Sequence, residues 1–464
     1  MSLISSLLLT LLLLIPSYSF ALSPENILQN DVLKIESFLL DTKQSKESTS
    51  TLSFEKFLTD PNSRISSEFK IPDFFQDSVR FWFNIYTRYK VTDSVIHDKE
   101  DLRIVYETLS FESLAAADVS AFVRTSLQSK FVSDKTKSYR QAFKNLGKNK
   151  NLKGDIEVKI LSALTRADIH IPNKTKDRVN FFNNLSGRLR AQTGQYDNIK
   201  QGIKNYILYE DFIEKVFVNF DLPHELIAIS FLESSFNTKA RSRVGATGVW
   251  QFMRRTGRSF MDIDRYQDGR LNPLLSTISA LHLLAQNYNI LKRWDLAVPA
   301  YNSGTRHILR ARRLLKNPKM SLEEMLKNYD HPHVGFASQN FFSEFLALVT
   351  ALSYKNEIYF DSKIIHYNPD TTIEAKNINA YITLCRLKPA DFYKLLVNSA
   401  PHIDKINSHI MKRGRNHNFK PGLILFSDRK LTERRYEEIS FKEMRRNYPK
   451  NWDRFLKNQS CSNK

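Results

Sequence analysis

The chain has 464 residues, 42% of them hydrophobic and 12% aromatic, which is enough to bury real cores and excludes wholesale disorder. Lys plus Arg number 69 against 49 for Asp plus Glu, so the formal net charge is +20 and polyanionic partners are favoured. Only two cysteines are present, Cys385 and Cys461, which excludes a disulfide-rich scaffold and a Cys-based zinc site; their spacing leaves open whether they pair.

Leu7 to Ile15 is an almost unbroken Leu run, too short for a stable bilayer anchor, and Pro16 breaks it. Ser19-Phe20-Ala21 then supplies small residues where a signal peptidase reads, so residues 1–21 are expected to be a signal peptide and the protein exported to the periplasm or cell envelope. An uncleaved anchor or a buried helix is the competing reading, because no Lys or Arg precedes the run. Residues 22–199 are expected to form a helical N-terminal region. It begins with a Ser-, Thr-, Lys- and Asp-rich lead-in to about residue 70, followed by an aromatic buried helix around Val79–Tyr86. Ile104-Val105-Tyr106 with Leu109 fits strand or helix, and stretches near 138–165 and 177–192 read as amphipathic basic helices.

Residues 200–345 are expected to be a second helical domain. Its best-defined helix runs from Pro223, suited to a first turn, to about Ser235. Leu226, Ile229, Ser230 and Glu233 share a face, since seven residues return to within about 20° of the same direction. A second helix starts at Asn272-Pro273, a cap followed by a first-turn proline. A third begins at Trp294, and Pro299 should kink it just before Tyr301-Asn302-Ser303-Gly304. Residues 346–464 are expected to be helical and mixed. An apolar helix over Phe345–Tyr354 opens this part, Lys388–Leu396 reads as helix, Phe419–Phe426 as a turn into a strand, and the tail after about Asn451 as frayed. Thirteen glycines and few hairpin signals make the chain mainly α.

Glu233 stands near the end of an apolar helix, directly before a polar loop containing Gly245 and Gly248. A carboxyl held against hydrophobic side chains stays protonated near neutral pH, which is what a general acid that cleaves a sugar–oxygen bond requires. The competing reading is an ordinary ion-paired helix glutamate. Ser242, Gln251, Tyr301 and Asn302 are neutral polar companions able to orient the acid and hold sugar hydroxyls; each alone also fits a loop or helix-end residue. Trp250, Phe252 and Met253 read as core. Asp262, Asp264 and Asp268 lie among Arg258, Arg265 and Arg270 and read as a surface salt-linked loop, so no second catalytic carboxylate is evident. His224-Glu225-Leu226-Ile227-Ala228 lacks the second His of a zinc protease helix, and His331-Pro332-His333 lacks a third ligand, so no metal or cofactor is expected.

Several segments occur in the order found in lytic transglycosylases of the goose-lysozyme-like (SLT) superfamily. These are Glu233-Ser234-Ser235-Phe236-Asn237, Ala240-Arg241-Ser242, Gly245 to Met253, Thr256-Gly257 and Ala300-Tyr301-Asn302-Ser303-Gly304. The resemblance covers about 200–312 and is nearest to the membrane-bound lytic murein transglycosylase D group. It extends in part to Phe81–Thr87, Ile104–Tyr106 and Arg190–Gly194; Leu395–Ile406 and Phe419–Phe426 bear a faint likeness to a wall-binding module. The resemblance implies a lysozyme-like helical catalytic domain over 200–345 that cleaves the β-1,4 bond between N-acetylmuramic acid and N-acetylglucosamine in peptidoglycan, leaving a 1,6-anhydro end. Glu233 matches the family's acid, which then serves as base; Ser242 matches the serine near it, and Gln251, Tyr301 and Asn302 match groups of the glycan groove. Thr238, Val249 and Asn272 depart from a common Pro, Leu and Asp, and the lipid-attachment cysteine of the named group has no counterpart. A muramidase or a non-catalytic wall-binding protein are the alternatives. Peptidoglycan strands are the expected partner, with peripheral envelope membrane contact through the basic charge and no nucleic acid.

Overall fold

The computed structural model describes residues 54–149, 151–264, 267–329, 335–360, 378–388, 390, 391, 394, 406–410, 419 and 421–447. The expected signal peptide, the lead-in up to residue 53, His331 to His333, most of Lys388–Leu396 and the tail after Asn451 lie outside these residues. The fold is mainly α-helical with two small sheets, and it divides into two compact units, one from Tyr89 to Gly194 and one from Leu52 to Arg88 together with Gln195 onward.

Helix α1 (Gln76–Thr87) opens the second unit and buries Phe81, Trp82, Phe83 and Ile85, as its aromatic density predicts. The first unit then begins with strands β1 (Asp93–Asp98) and β2 (Val105–Ser110), so the ambiguous Ile104–Leu109 stretch is mostly strand. Helices α2 (Ala121–Lys148), α3 (Asp155–Arg166) and α4 (Thr175–Arg188) follow. The chain next leaves helix for β3 (Leu189–Thr193), which corrects the expectation of helix to residue 192. The reason is tertiary: β3 pairs antiparallel with β1 to complete the sheet order β2-β1-β3, and those ladder bonds outweigh local helical periodicity. Tyr139, Phe143, Leu146, Ile160, Leu164 and Phe182 fill the core beneath this sheet.

The second unit resumes with α5 (Tyr196–Ile207) and α6 (Glu210–Phe220). The helix expected from Pro223 to Ser235 is a 3₁₀ turn, His224–Ile227, leading into α7 (Ala228–Ser234). Helix α8 (Pro273–Leu291) starts as read: the Asn272 side chain accepts from the Leu274 and Leu275 amides at 2.8 and 3.1 Å. The expected break at Pro299 separates α9 (Trp294–Ala297) from α10 (Pro299–Ser303), and α11 (Thr305–Leu314) follows Gly304. Helix α12 (Phe336–Ser353) begins earlier than the apolar run suggested and packs on α1, α7 and α10. From Asn340 to Ala351 it is buried apart from Glu344, so this stretch forms the spine of the unit.

A three-stranded antiparallel sheet follows, with β4 (Asn379–Thr383) between β5 (Ile424–Ser427) and β6 (Tyr436–Ile439), and then α13 (Phe441–Asn447). The turn-then-strand reading of Phe419–Phe426 holds at β5. His409 fastens this sheet to the start of α8. Its Nδ1 meets the Asn272 amide nitrogen at 2.8 Å and its Nε2 the Ile424 carbonyl at 2.9 Å, while burial pulls its pKa down to about 4. Cys385 is disulfide-bonded.

Candidate active site

The site is assembled within the second unit. Helix α7 carries Ala228, Ile229, Ser230 and Phe231 fully inside, and it stops because Ser235 and Phe236 both adopt left-handed backbone, at φ 50° and 51°. Two consecutive non-glycine residues in this region cost on the order of 1 kcal/mol each, a strain that the surrounding packing must hold. Phe236 is anchored in a cluster with Tyr206, Tyr209 and Phe231. Gly202 of α5 faces the Ser235 carbonyl so closely that a Cβ there would stand 2.2 Å from its oxygen. The end of α7 is therefore clamped, and Glu233 in its last turn is placed with it.

Burial pushes the Glu233 carboxyl up to about 7, with the nearby Glu344 charge adding to the effect. The residue as a whole is only half-buried, so part of it remains open to solvent.

The loop after α7 folds back as an irregular hairpin. The Ser242 amide donates to the Ala246 carbonyl at 2.9 Å, Gly248 to Ala240 at 2.9 Å and Thr247 to Phe252 at 3.2 Å. Ser242 sits exposed at its tip, and its Oγ accepts the Ala246 N–H at 2.9 Å. Gly248 has φ +78°, and a Cβ would meet the Arg270 carbonyl oxygen at 1.7 Å, so only glycine fits. Gln251, itself at φ 48°, turns its side-chain nitrogen inward to the Gly248 carbonyl at 2.8 Å. Two hydroxyls pin the far side of the loop: Ser234 donates to the Val249 carbonyl and Tyr301 to the Trp250 carbonyl, both at 2.8 Å. Trp250 is fully buried with its indole N–H on Thr277 Oγ1 at 2.9 Å. Tyr301 also lies close enough to Glu233 for the carboxylate charge, after burial, to raise the phenol well above its ordinary pKa. Asn302 is exposed one residue further along α10.

Tyr301 thus lies near Glu233, the Gln251 and Tyr301 side chains bond to the same loop, Ser242 marks its tip, and Asn302 is exposed next to Tyr301 in the chain. Met253 is 43% exposed, against the expectation of core, whereas Trp250 and Phe252 are buried as read. Asp268 also departs from the surface reading. Its carboxylate takes a two-pronged bond from Arg270 at 2.9 and 2.8 Å, with both side chains nearly inaccessible. The same guanidinium donates to the Gly245 and Phe252 carbonyls at 3.0 and 3.1 Å, so this pair is the internal brace of the loop.

Sequence reasoning missed Glu344. It is the only residue from Asn340 to Ala351 on α12 that is not buried, and it accepts the Tyr86 hydroxyl at 2.9 Å. The signal was the same one that drew attention to Glu233, a lone acid in an apolar helix. The apolar run legible in the sequence begins one residue later, at Phe345, which leaves Glu344 outside it.

These features define a mainly helical unit with a desolvated carboxyl, Glu233, in the last turn before a strained helix end. Residues 218–322 match the family profile described as Transglycosylase SLT domain. The chain is similar to the membrane-bound lytic murein transglycosylase D of Escherichia coli K12, with 34% identity over 93 residues, and equally to its counterpart in Escherichia coli O6:H1. That alignment covers 20% of this chain and 21% of either relative, so about a fifth of their length is spanned. A solved chain of the lytic transglycosylase Slt from Pseudomonas aeruginosa, an inactive mutant, shares 15% identity. It covers 65% of this chain and 54% of its own length at a TM-score of 0.23, too low to bear on the fold.

Proposed function

We propose that this protein is a peptidoglycan lytic transglycosylase of the cell envelope, with Glu233 as its single acid–base residue. The observation that carries the reading is the desolvated Glu233 carboxyl, whose pKa of about 7 lets it both give and take a proton near neutrality. Its carboxyl would protonate the glycosidic oxygen as the C1–O bond breaks, the bonding pair leaving with that oxygen. The resulting carboxylate would then remove the proton of the muramic 6-hydroxyl, whose oxygen bonds to C1 and closes the 1,6-anhydro ring. Ser242, Gln251, Tyr301 and Asn302 are assigned to the glycan groove. Gln251 and Tyr301 would act chiefly by holding the loop backbone, since both polar ends already bond to carbonyls of that loop, leaving Ser242 and Asn302 as the exposed contacts. The +20 charge would favour anionic wall polymer and lipid headgroups, and among the described residues no helix is long and apolar enough to cross a membrane.

Mass analysis of purified sacculi digested with the protein tests this. Anhydro-muramic ends from the wild type and their loss in Glu233→Gln are expected. Reducing muramic ends would replace the transglycosylase by a hydrolytic muramidase, and sacculus binding without any digestion would replace it by a wall-binding protein.

A further inference from the structure

Helix α11 leaves one face uncovered. At about 100° per residue, Leu309, Arg313, Arg306, Arg310 and Leu314 follow one another around an arc of about 140°. All five are exposed, Leu309 at 40% and Leu314 at 59%, whereas Ile308 and Ala311 on the other side of the helix are buried. Arg312, off that arc, donates to the Leu291 carbonyl at 2.7 Å and ties the helix to the end of α8. The helix is thus seated by its inner side, and its outer side presents three guanidiniums in a row with a leucine on either edge.

These charges have no counter-charge near them in the fold. The chain carries no Asp or Glu from Leu296 to Leu322, and α8 and α10, on which α11 packs, carry none either. The flanking acids are already engaged. Asp295 takes a two-pronged bond from Arg293 at 2.9 and 3.0 Å, Glu323 pairs with Lys327 at 2.6 Å, and Glu324 closes a capping box with Ser321. Among the described residues the Arg306, Arg310 and Arg313 guanidiniums make no ion pair, unlike the exposed Arg80, Arg103 and Arg435. Lys316 and Lys319, both exposed, extend the positive charge past the end of the helix.

We propose that this face of α11 docks the protein on an anionic lipid surface, with the arginines on headgroup phosphates and Leu309 and Leu314 entering the boundary between headgroups and acyl chains. The mixed chemistry of the face selects this occupant. Carboxylates of a wall polymer would satisfy the arginines and leave both leucines in water, whereas a bilayer surface offers phosphate and hydrocarbon within about 10 Å of each other. Arginine suits the position, because its stem lies along apolar surface while its fork grips a phosphate. Such docking is independent of glycan cleavage by Glu233.

Co-sedimentation of the full chain with vesicles of phosphatidylcholine containing about 30% phosphatidylglycerol, set against phosphatidylcholine alone, tests this. The Leu7–Ile15 run is common to every variant, so its contribution cancels from the comparison. The wild type should prefer the anionic vesicles, and raised salt should remove the preference. With Arg306→Gln, Arg310→Gln and Arg313→Gln combined, affinity for the anionic vesicles should fall about a hundredfold, at roughly fivefold for each cation lost near the surface. Leu309→Ser with Leu314→Ser should weaken it about tenfold without changing its salt dependence. Sacculus digestion in the absence of lipid should be unchanged in both variants. An arginine variant that keeps its vesicle preference, or that loses sacculus binding instead, overturns the proposal. Undiminished vesicle affinity in the leucine variant leaves charge as the sole attraction and overturns it too. Loss of vesicle binding in both variants of a protein whose wild type leaves sacculi intact supports the docking face and overturns the assigned activity; digestion by a wild type with no vesicle preference does the reverse.

Discussion

Replacing Glu233 by Gln should make the folded protein more stable at alkaline pH and leave it unchanged in acid. The carboxyl rises from its ordinary 4.5 to about 7 on folding, chiefly through burial. Below pH 4.5 both the folded and unfolded states hold the proton, so ionisation contributes nothing. Between 4.5 and 7 the unfolded chain loses the proton while the folded one keeps it, and stability declines with rising pH. Above 7 both are ionised and the whole penalty of a charge in a desolvated site is present. At about 1.36 kcal/mol for each pH unit, this comes to roughly 3 kcal/mol. An amide of the same shape carries no charge and escapes that penalty. Urea unfolding followed by tryptophan fluorescence reads the difference, since Trp82, Trp250 and Trp294 are all buried in the unit that contains Glu233. With a slope of roughly 3 kcal/mol/M, the Glu233→Gln midpoint at pH 8 should exceed the wild type by about 1 M, and the two should coincide at pH 4. Equal midpoints at pH 8, or the same gain at both pH values, would refute the argument that burial holds this proton in place.

Tyr301→Phe removes the donor to the Trp250 carbonyl, which should cost about 1 kcal/mol of stability and lower kcat for sacculus digestion more than it raises KM. Gly248→Ala forces a side chain onto the Arg270 carbonyl at an unfavourable φ, and loss of soluble protein or a destabilisation above about 2 kcal/mol by urea unfolding is expected. Asp268→Asn leaves the Arg270 charge buried without its partner, so a loss of about 3 kcal/mol should appear in the same assay, together with protease sensitivity in the 240–252 loop. Digestion by the wild type should fall off above about pH 7 as Glu233 loses its proton, and a rate still rising at pH 9 would remove it as the acid.

What the sequence by itself determined was local. The start of α8 at Asn272-Pro273 and the break before Pro299 follow from a side-chain cap and a missing N–H, interactions that span a few residues. Glu233, followed by the glycine-bearing loop, could be singled out because helix periodicity and adjacency describe one contiguous segment. Tertiary structure decided the rest. Arg190–Thr193 became strand because β1 supplied a ladder, and Asp268 became an internal brace because Arg270 could reach the Gly245 and Phe252 carbonyls. Tyr301 and Gln251 turned their polar groups into the loop because that backbone needed partners once water was excluded. Glu344 met the Tyr86 hydroxyl only when α12 packed on α1. Periodicity reports which way a side chain points along its own helix; which charge it meets there is set by how helices pack, and electrostatic energy depends on that distance through space.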